Sequence, residues 1–408
     1  MAGRGRVPGC SVVVLCLLLA SLVACGGRPA ADSVRAEVRR VLDHRAAALL
    51  ARDAAGYAAT GTRDGFAETA AVPLAGWSYR VGKVRRTGDE ARADVELSYR
   101  LAGHDRGAVT TARTVRLGRE RGRWSVVSDR PADGTGRQLW DQGTVRVVRA
   151  ERGLVLGVGQ SEAALRGFAD LVDRAVPAVS DAWDGDWARR LVVLVPESLE
   201  GMAGLLGSPA SSYRGIAAVT TGETGAPAGA PADRIVVNPE AYRLLGTVGR
   251  QVVLTHEATH VATRAHTSAA TPLWLSEGYA DWVGYRGGGS DPARTAPELS
   301  RAVSQGHLPE SLPADEDFGF TGEAGDLARA YEGGWTACRM IAEQWGEARL
   351  DDFYRAVGAQ GDRDGADRNG ADPADPAEAV GNALGEVLGT TPEEFTARWR
   401  EYLRARFG

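Results

Sequence analysis

Cysteine is nearly absent from the body of this chain. Four occur in 408 residues, and Cys10, Cys16 and Cys25 lie within or just after an apolar leader, which leaves Cys338 alone downstream. One thiol cannot close an internal disulfide, so no disulfide scaffold holds the fold. Cys338 falls in an apolar helical run and reads as a small buried side chain. A basic excess is missing too: 48 Lys and Arg stand against 53 Asp and Glu. Without a cationic surplus, counterion release cannot hold nucleic acid, and that class of partner is set aside. Long hydrophobic runs are also lacking. The most apolar stretch, Val12 to Leu22, is too short to span a bilayer comfortably. With 44% hydrophobic residues, the chain still suffices for two or three domains with real cores.

The leader reads as a targeting segment. Arg4 and Arg6 form a positive n-region, Val12 to Leu22 the h-region, and Leu22-Val23-Ala24-Cys25-Gly26-Gly27 follows. Small residues before a cysteine at this place resemble the lipobox of bacterial lipoproteins. The resemblance implies a signal peptide of residues 1–24, cleavage before Cys25, and a diacylglycerol on its thiol. It implies a protein anchored by lipid to the extracytoplasmic side of a bacterial cell membrane. An ordinary secretory signal peptide or an uncleaved anchor is the alternative.

Residues 25–34 are small and polar, a tether. Ser33 to Ala58 reads as one long helix, with Val34, Val38, Val41, Leu42, Ala46, Leu49 and Leu50 near a 3.6 period. Alternation then marks strands over Trp77–Val84, Ala91–Leu101, Ala108–Leu117 and Trp124–Ser128, with turn signals at Thr87-Gly88-Asp89 and Arg119–Gly122. One amphipathic helix on a curved antiparallel sheet is a stable α+β solution. The element order over 35–130 resembles the NTF2-like superfamily. His44 and His104 are far apart there and read as ordinary surface or boundary histidines.

A connector over 130–142 leads to a second domain, 140–408. It opens with a hairpin, Thr144–Ala150 and Leu154–Val158. A helix from Ser161 to about Trp183 contains Pro177, and Leu191–Val195 reads as a buried strand. Leu199–Leu206 reads as a short helix, and Ile216–Thr221 and Arg234–Val237 as short strands. The expected whole is α+β, with a small mixed sheet and a mainly helical C-terminal part.

Thr247 to Arg264 reads as a helix capped by Thr247 and containing His256-Glu257-Ala258-Thr259-His260. Histidines four apart point from one face, and their nitrogens can reach one ion at ~2 Å. Glu257 sits beside them, suited to act as general base on a water activated by the metal. After a loop, Thr271-Pro272 marks a second helix start, and Glu277 falls early in that helix. Two histidines and a glutamate leave a fourth zinc position open, the catalytic arrangement. Asp281, one turn after Glu277, can accept the other ring N–H of a ligand histidine.

His256–His260 with Trp274-Leu275-Ser276-Glu277-Gly278-Tyr279-Ala280 resembles the gluzincins, the thermolysin and M1 aminopeptidase-like metallopeptidases. The M1 form reads Trp-Leu-Asn-Glu-Gly-Phe-Ala. The resemblance implies a zinc peptidase with His256, His260 and Glu277 as ligands. Tyr331-Glu332-Gly333-Gly334 resembles the Tyr-Glu-Lys-Gly segment of M1 enzymes, which implies that Tyr331 hydrogen-bonds the developing oxyanion. It also implies a strand that lines the cleft and pairs with substrate; Ile216–Thr221 and Arg234–Val237 both qualify. The Gly-x-Met-Glu-Asn segment, which grips a free amino end in M1 enzymes, is absent. A peptide or protein cut internally is therefore the expected substrate.

The remainder reads as support: helices over Leu327–Trp345, Leu350–Ala356, Val380–Leu388 and Thr391–Phe407, and an exposed acidic loop over 360–377. His266, between the zinc helices, could touch substrate; His307 is more distant. The rival to hydrolysis is a catalytically idle zincin fold that serves as a binding or adaptor lipoprotein.

Overall fold

The computed structural model describes residues 28–222, 229–287, 291–319, 324–367 and 375–408. Cys25 and the leader lie outside the described residues. The chain divides into two compact units. Within the described residues, the first comprises 28–66, 76–99 and 110–133, and the second comprises 67–75, 100–109 and the chain from 134 onward.

In the first unit α1 (Arg28–Leu50) and α2 (Ala54–Ala58) precede a sheet of β1 (Leu74–Thr87), β2 (Glu90–Leu101), β3 (Val109–Glu120) and β4 (Arg123–Pro131), ordered β1-β2-β3-β4. A single turn, α3 (Phe66–Thr69), lies between α2 and β1. Val34, Val38, Leu42, Ala46 and Leu49 of α1 are buried as the periodicity predicts, whereas Val41 is half-buried and Leu50, expected on the same face, is exposed at the helix end. On β2 every second residue from Ala91 to Leu101 is buried, as a half-buried strand requires. The expected single helix over 33–58 is broken. Arg52 adopts φ 55, and the Asp53 carboxylate accepts from Gly56 N to start α2. The expected tether is shortened, because α1 already begins at Arg28. Arg45 is fully buried and ties the chain after α2 back to α1. Its guanidinium donates to Thr60 Oγ1, Thr62 O and Asp64 O and lies 3.6 Å from the Tyr57 ring centre.

The second unit holds a mixed sheet of β5 (Arg146–Ala150), β6 (Gly153–Gly157), β7 (Leu191–Val195), β8 (Ala218–Thr220) and β9 (Ile235–Val237), ordered β5-β6-β7-β9-β8. β6, β7 and β9 are parallel, and β5 and β8 are antiparallel edges. The inner strands are continuous apolar runs, as strands covered on both faces are. α4 (Glu162–Ala182) starts at Ser161, whose hydroxyl accepts from Ala164 N, and buries Leu165, Val172, Val176 and Val179 in the core. α5 (Leu199–Leu206) and α6 (Pro239–Leu244) are short connections leading to α7 (Thr247–Thr263) and α8 (Leu273–Tyr285). α9 (Pro292–Thr295), α10 (Pro297–Ser304), α11 (Ala324–Trp345), α12 (Glu347–Asp367), α13 (Pro376–Ala383) and α14 (Pro392–Phe407) complete the unit.

Three local expectations differ from the structure. Thr247 is the first helical residue of α7, behind Gly246 as N-cap. Thr271 does not cap α8: its hydroxyl accepts from Ser268 N, and the Asp315 carboxylate takes the Leu273 N–H instead. The expected loop over 360–377 is helical as far as Asp367 and again from Pro376, with 368–374 outside the described residues. Two glycines of α12 mark close packing. A Cβ on Gly358 would lie 1.8 Å from His266 O, and one on Gly361 2.3 Å from Ser268 Oγ.

Glycines also set the helix spacing at the centre. A Cβ on Gly278 of α8 would lie 2.3 Å from the Gly334 carbonyl carbon of α11, and one on Gly334 2.5 Å from Trp274 O. A Cβ on Gly284 would meet Val252 O of α7 at 3.2 Å. We predict that Gly278→Val or Gly334→Val destabilises the chain by about 1–3 kcal/mol or more through overpacking. Gly167→Ala, whose Cβ meets nothing within 4 Å, should be neutral or stabilising by up to about 1 kcal/mol. Denaturant melts of the three variants check this.

Candidate metal centre

α7 presents His256 and His260 one turn apart, and α8 crosses beside it with Glu277 one helical turn in from its start. The three side chains converge, with one ligand atom from each inside a 4.8 Å span. His256 Nε2 is 3.2 Å from Glu277 Oε2, His260 Nε2 is 3.6 Å from the same oxygen, and the two Nε2 atoms are 3.1 Å apart. Ligands held ~2.0–2.1 Å from a tetrahedral zinc stand about 3.3 Å from one another. The donor chemistry and the spacing therefore both fit that ion. Side chains here are 13–18% exposed, so the cluster is recessed yet reachable.

Asp281 Oδ1 is 2.8 Å from His256 Nδ1. The carboxylate can accept the Nδ1 proton and leave Nε2 facing Glu277 and His260. Electrostatics bind the group further. Burial lowers the pKa of His256, but Asp281 and Glu277 outweigh it and hold the ring well above its ordinary value. Burial raises Glu277, but His260 and His256 outweigh it and hold the carboxyl below the usual range.

Glu257 is buried at 7% exposure. Its carboxylate accepts from the Thr220 hydroxyl at 2.7 Å, and the same hydroxyl lies 3.0 Å from the Glu257 carbonyl oxygen. In the sequence Thr220 is only the end of a strand, with no role of its own. The one signal it offers is that an edge strand beside the zinc helix carries a hydroxyl residue. Of the two strands considered for the cleft, β9 is interior and β8 is the edge. Tyr331 packs against Phe318 with ring centres 5.1 Å apart. Burial, then the Glu277, Asp281 and Glu257 carboxylates, raise its phenol far above the usual value, so the tyrosine lies within the field of all three. The neighbouring Glu332 caps α10 instead, accepting from Leu299 N at 2.6 Å and Glu298 N at 3.3 Å.

Behind the cluster, Tyr279 donates to Asp351 Oδ1 at 2.6 Å, and burial lifts that carboxyl to about 6. The Tyr354 hydroxyl is 2.7 Å from Thr267 Oγ1, which fixes the loop leaving α7. His266 packs edge-on to Trp183. Cys338 is fully buried in the α8–α11 contact, its Sγ 4.0 Å from Leu275 O.

No protein-family model matches the chain, and no curated protein does. Among solved structures, native yeast LTA4 hydrolase is similar over 83% of this chain, at 10% identity and a TM-score of 0.39. The chain corresponds to 61% of that structure's length. At that score and identity the likeness carries no argument about activity.

A metal that takes His256 must displace a firmly held proton. Because the folded pKa of His256 is raised, protons compete with the metal for the ring and zinc affinity increases as pH rises. At pH 7, calorimetry in buffers of different ionisation enthalpy should show on the order of one proton released per zinc bound. Asp281→Asn should reduce that release and weaken zinc binding about 10–100-fold.

Proposed function

We propose that this chain is a zinc-dependent peptidase that cuts inside peptide chains. The observation that carries the reading is the convergence of His256, His260 and Glu277 at tetrahedral spacing, with Glu257 beside them. When bound, zinc supplies Lewis-acid polarisation of a peptide carbonyl and makes a water molecule more acidic. Glu257 takes the proton from that water as it attacks and passes it to the departing amine. Thr220 holds the carboxylate in position through its 2.7 Å hydrogen bond. Burial, then the Glu277, Asp281 and Glu257 carboxylates, oppose ionisation of the Tyr331 phenol. The phenol therefore donates to the oxygen on which charge develops. The outer edge of β8 pairs with an extended substrate main chain. The absence of a Gly-x-Met-Glu-Asn segment supports internal cleavage over stepwise removal of N-terminal residues.

The rest of the chain fits a protein at a membrane. Residues 22–25 carry the lipobox pattern, and a diacylglycerol on Cys25 would hold the peptidase on the extracytoplasmic face. The helix and four-strand meander of the first unit support an NTF2-like reading, with a role in substrate or partner recognition.

The test uses the chain from Gly26 onward, which keeps every described residue, loaded with zinc and given a diverse peptide library. New internal termini found by mass spectrometry, absent with Glu257→Ala, are the expected result. Glu257→Ala should retain zinc and lose about 10²–10⁴-fold in turnover. Thr220→Val should lower kcat about 10–100-fold, the worth of a hydrogen bond to a charged group, with zinc content unchanged. Cleavage undiminished in Glu257→Ala, or stoichiometric zinc with no cleavage of any peptide or protein, contradicts the reading and favours an idle binding fold.

A further inference from the structure

The N-terminal end of α7 carries a feature that hydrolysis does not use. A cavity of about 420 Å³ opens between α4, α6 and the first turn of α7. It lies beyond the C-terminal ends of β7 and β9, where Val195 and Pro239 line it. Open α/β sheets bind ligands at such ends, and the volume is that of a small-ligand site. Phe168, Leu171 and Tyr242 give it an apolar wall, and Arg174, Arg243 and Arg250 supply positive charge.

Those three arginines are not neutralised. Arg174 Nε donates to Gln251 Oε1, Arg243 Nε to Pro239 O, and Arg250 to Arg243 O. Every one of these acceptors is uncharged. Among the described residues none of the three makes an ion pair, and the buried Nε of Arg250 has no hydrogen-bond partner. Asp170 is the one acid on the cavity wall. Beside this charge stand Leu244 and Val248, 88% and 72% exposed, against 42% and 53% for Leu50 and Val127 elsewhere in the described chain. The two most exposed large aliphatic side chains thus lie four residues apart, on one corner, between Arg243 and Arg250.

Protruding aliphatic side chains flanked along the chain by cations are the chemistry of an interfacial membrane contact. The apolar groups enter the acyl boundary while the cations meet lipid phosphates. A second copy of the chain fits poorly, because a two-fold contact would set the same arginines against one another. We infer that the α6–α7 corner docks on a bilayer containing anionic phospholipid, with Leu244 and Val248 inserted and a lipid phosphate at Arg174, Arg243 and Arg250. His256 follows Val248 by eight residues, ~12 Å along the helix axis. A chain docked in this way holds the metal centre close to the lipid surface, so membrane-proximal segments of other proteins come within its reach.

The inference is independent of zinc and of hydrolysis, and its test needs neither. The chain from Gly26 onward, with no acyl anchor, is sedimented with vesicles of phosphatidylcholine alone or mixed with phosphatidylglycerol. Binding to the phosphatidylglycerol vesicles, weakened by salt and absent on phosphatidylcholine, is expected. Leu244→Glu with Val248→Glu should reduce it at least tenfold, and Arg243→Gln or Arg250→Gln by roughly fivefold each. Melting temperatures should stay near wild type in the aliphatic double variant, since both side chains project into solvent. No binding by the wild-type chain overturns the inference, as does undiminished binding by the double variant. So does a concentration-dependent dimer abolished by the double variant, which would assign the corner to a second copy.

Discussion

α8 touches α11 on one side at a distance only glycine permits and packs tightly on α7 on the other, and the metal centre depends on that double contact. Gly284 meets Val252 of α7, and Gly278 meets Gly334 of α11 backbone to backbone. The first contact carries Glu277 to within 3.2 Å of His256. The second brings α11 close enough that Tyr331 feels Glu277, Asp281 and Glu257 together. A side chain at the Gly278–Gly334 crossing must push a helix outward, which would disturb the ligand triangle. The glycines in Ser276-Glu277-Gly278 and Glu332-Gly333-Gly334 are therefore part of the site without touching a ligand atom.

The cluster is also held from behind. Asp281 fixes the His256 ring, Thr220 meets the Glu257 carboxylate, Tyr279 ties α8 to Asp351 of α12, and Tyr354 of α12 meets Thr267 just beyond α7. Each is a short bond in a buried or half-buried setting, where a satisfied polar network rigidifies its surroundings. The cost is visible in charge. The Glu277, Asp281 and Glu257 carboxylates crowd the two histidines, an arrangement that a divalent cation relieves.

Much of this was legible in the sequence because it follows from local periodicity. Four-residue spacing placed His256 with His260 and Glu277 with Asp281. Alternation marked the strands, and the 3.6 period marked α1, α4 and α11. What the sequence concealed depended on tertiary contact. Gly358 and Gly361 look like helix breakers, yet they lie within α12, where the 266–270 loop packs so closely that only their missing side chains leave room. The cap of α8 comes from Asp315, 42 residues away, and no local pattern reveals it. Thr220 meets Glu257 only because the sheet order sets β8 at the edge beside α7. Arg52 breaks the first helix by a left-handed turn that its residue type does not advertise.

α7 and α8 together build one three-ligand metal site with an open position. X-ray absorption spectroscopy on the zinc-loaded chain tests it most directly. The expected spectrum shows a shell of nitrogen and oxygen at ~2.0–2.1 Å with imidazole scattering from two histidines and no sulfur. Part of the imidazole signal should be lost in His260→Ala. A sulfur shell at ~2.3 Å, or a spectrum unchanged by His260→Ala and Glu277→Ala, would place the metal elsewhere and contradict the account.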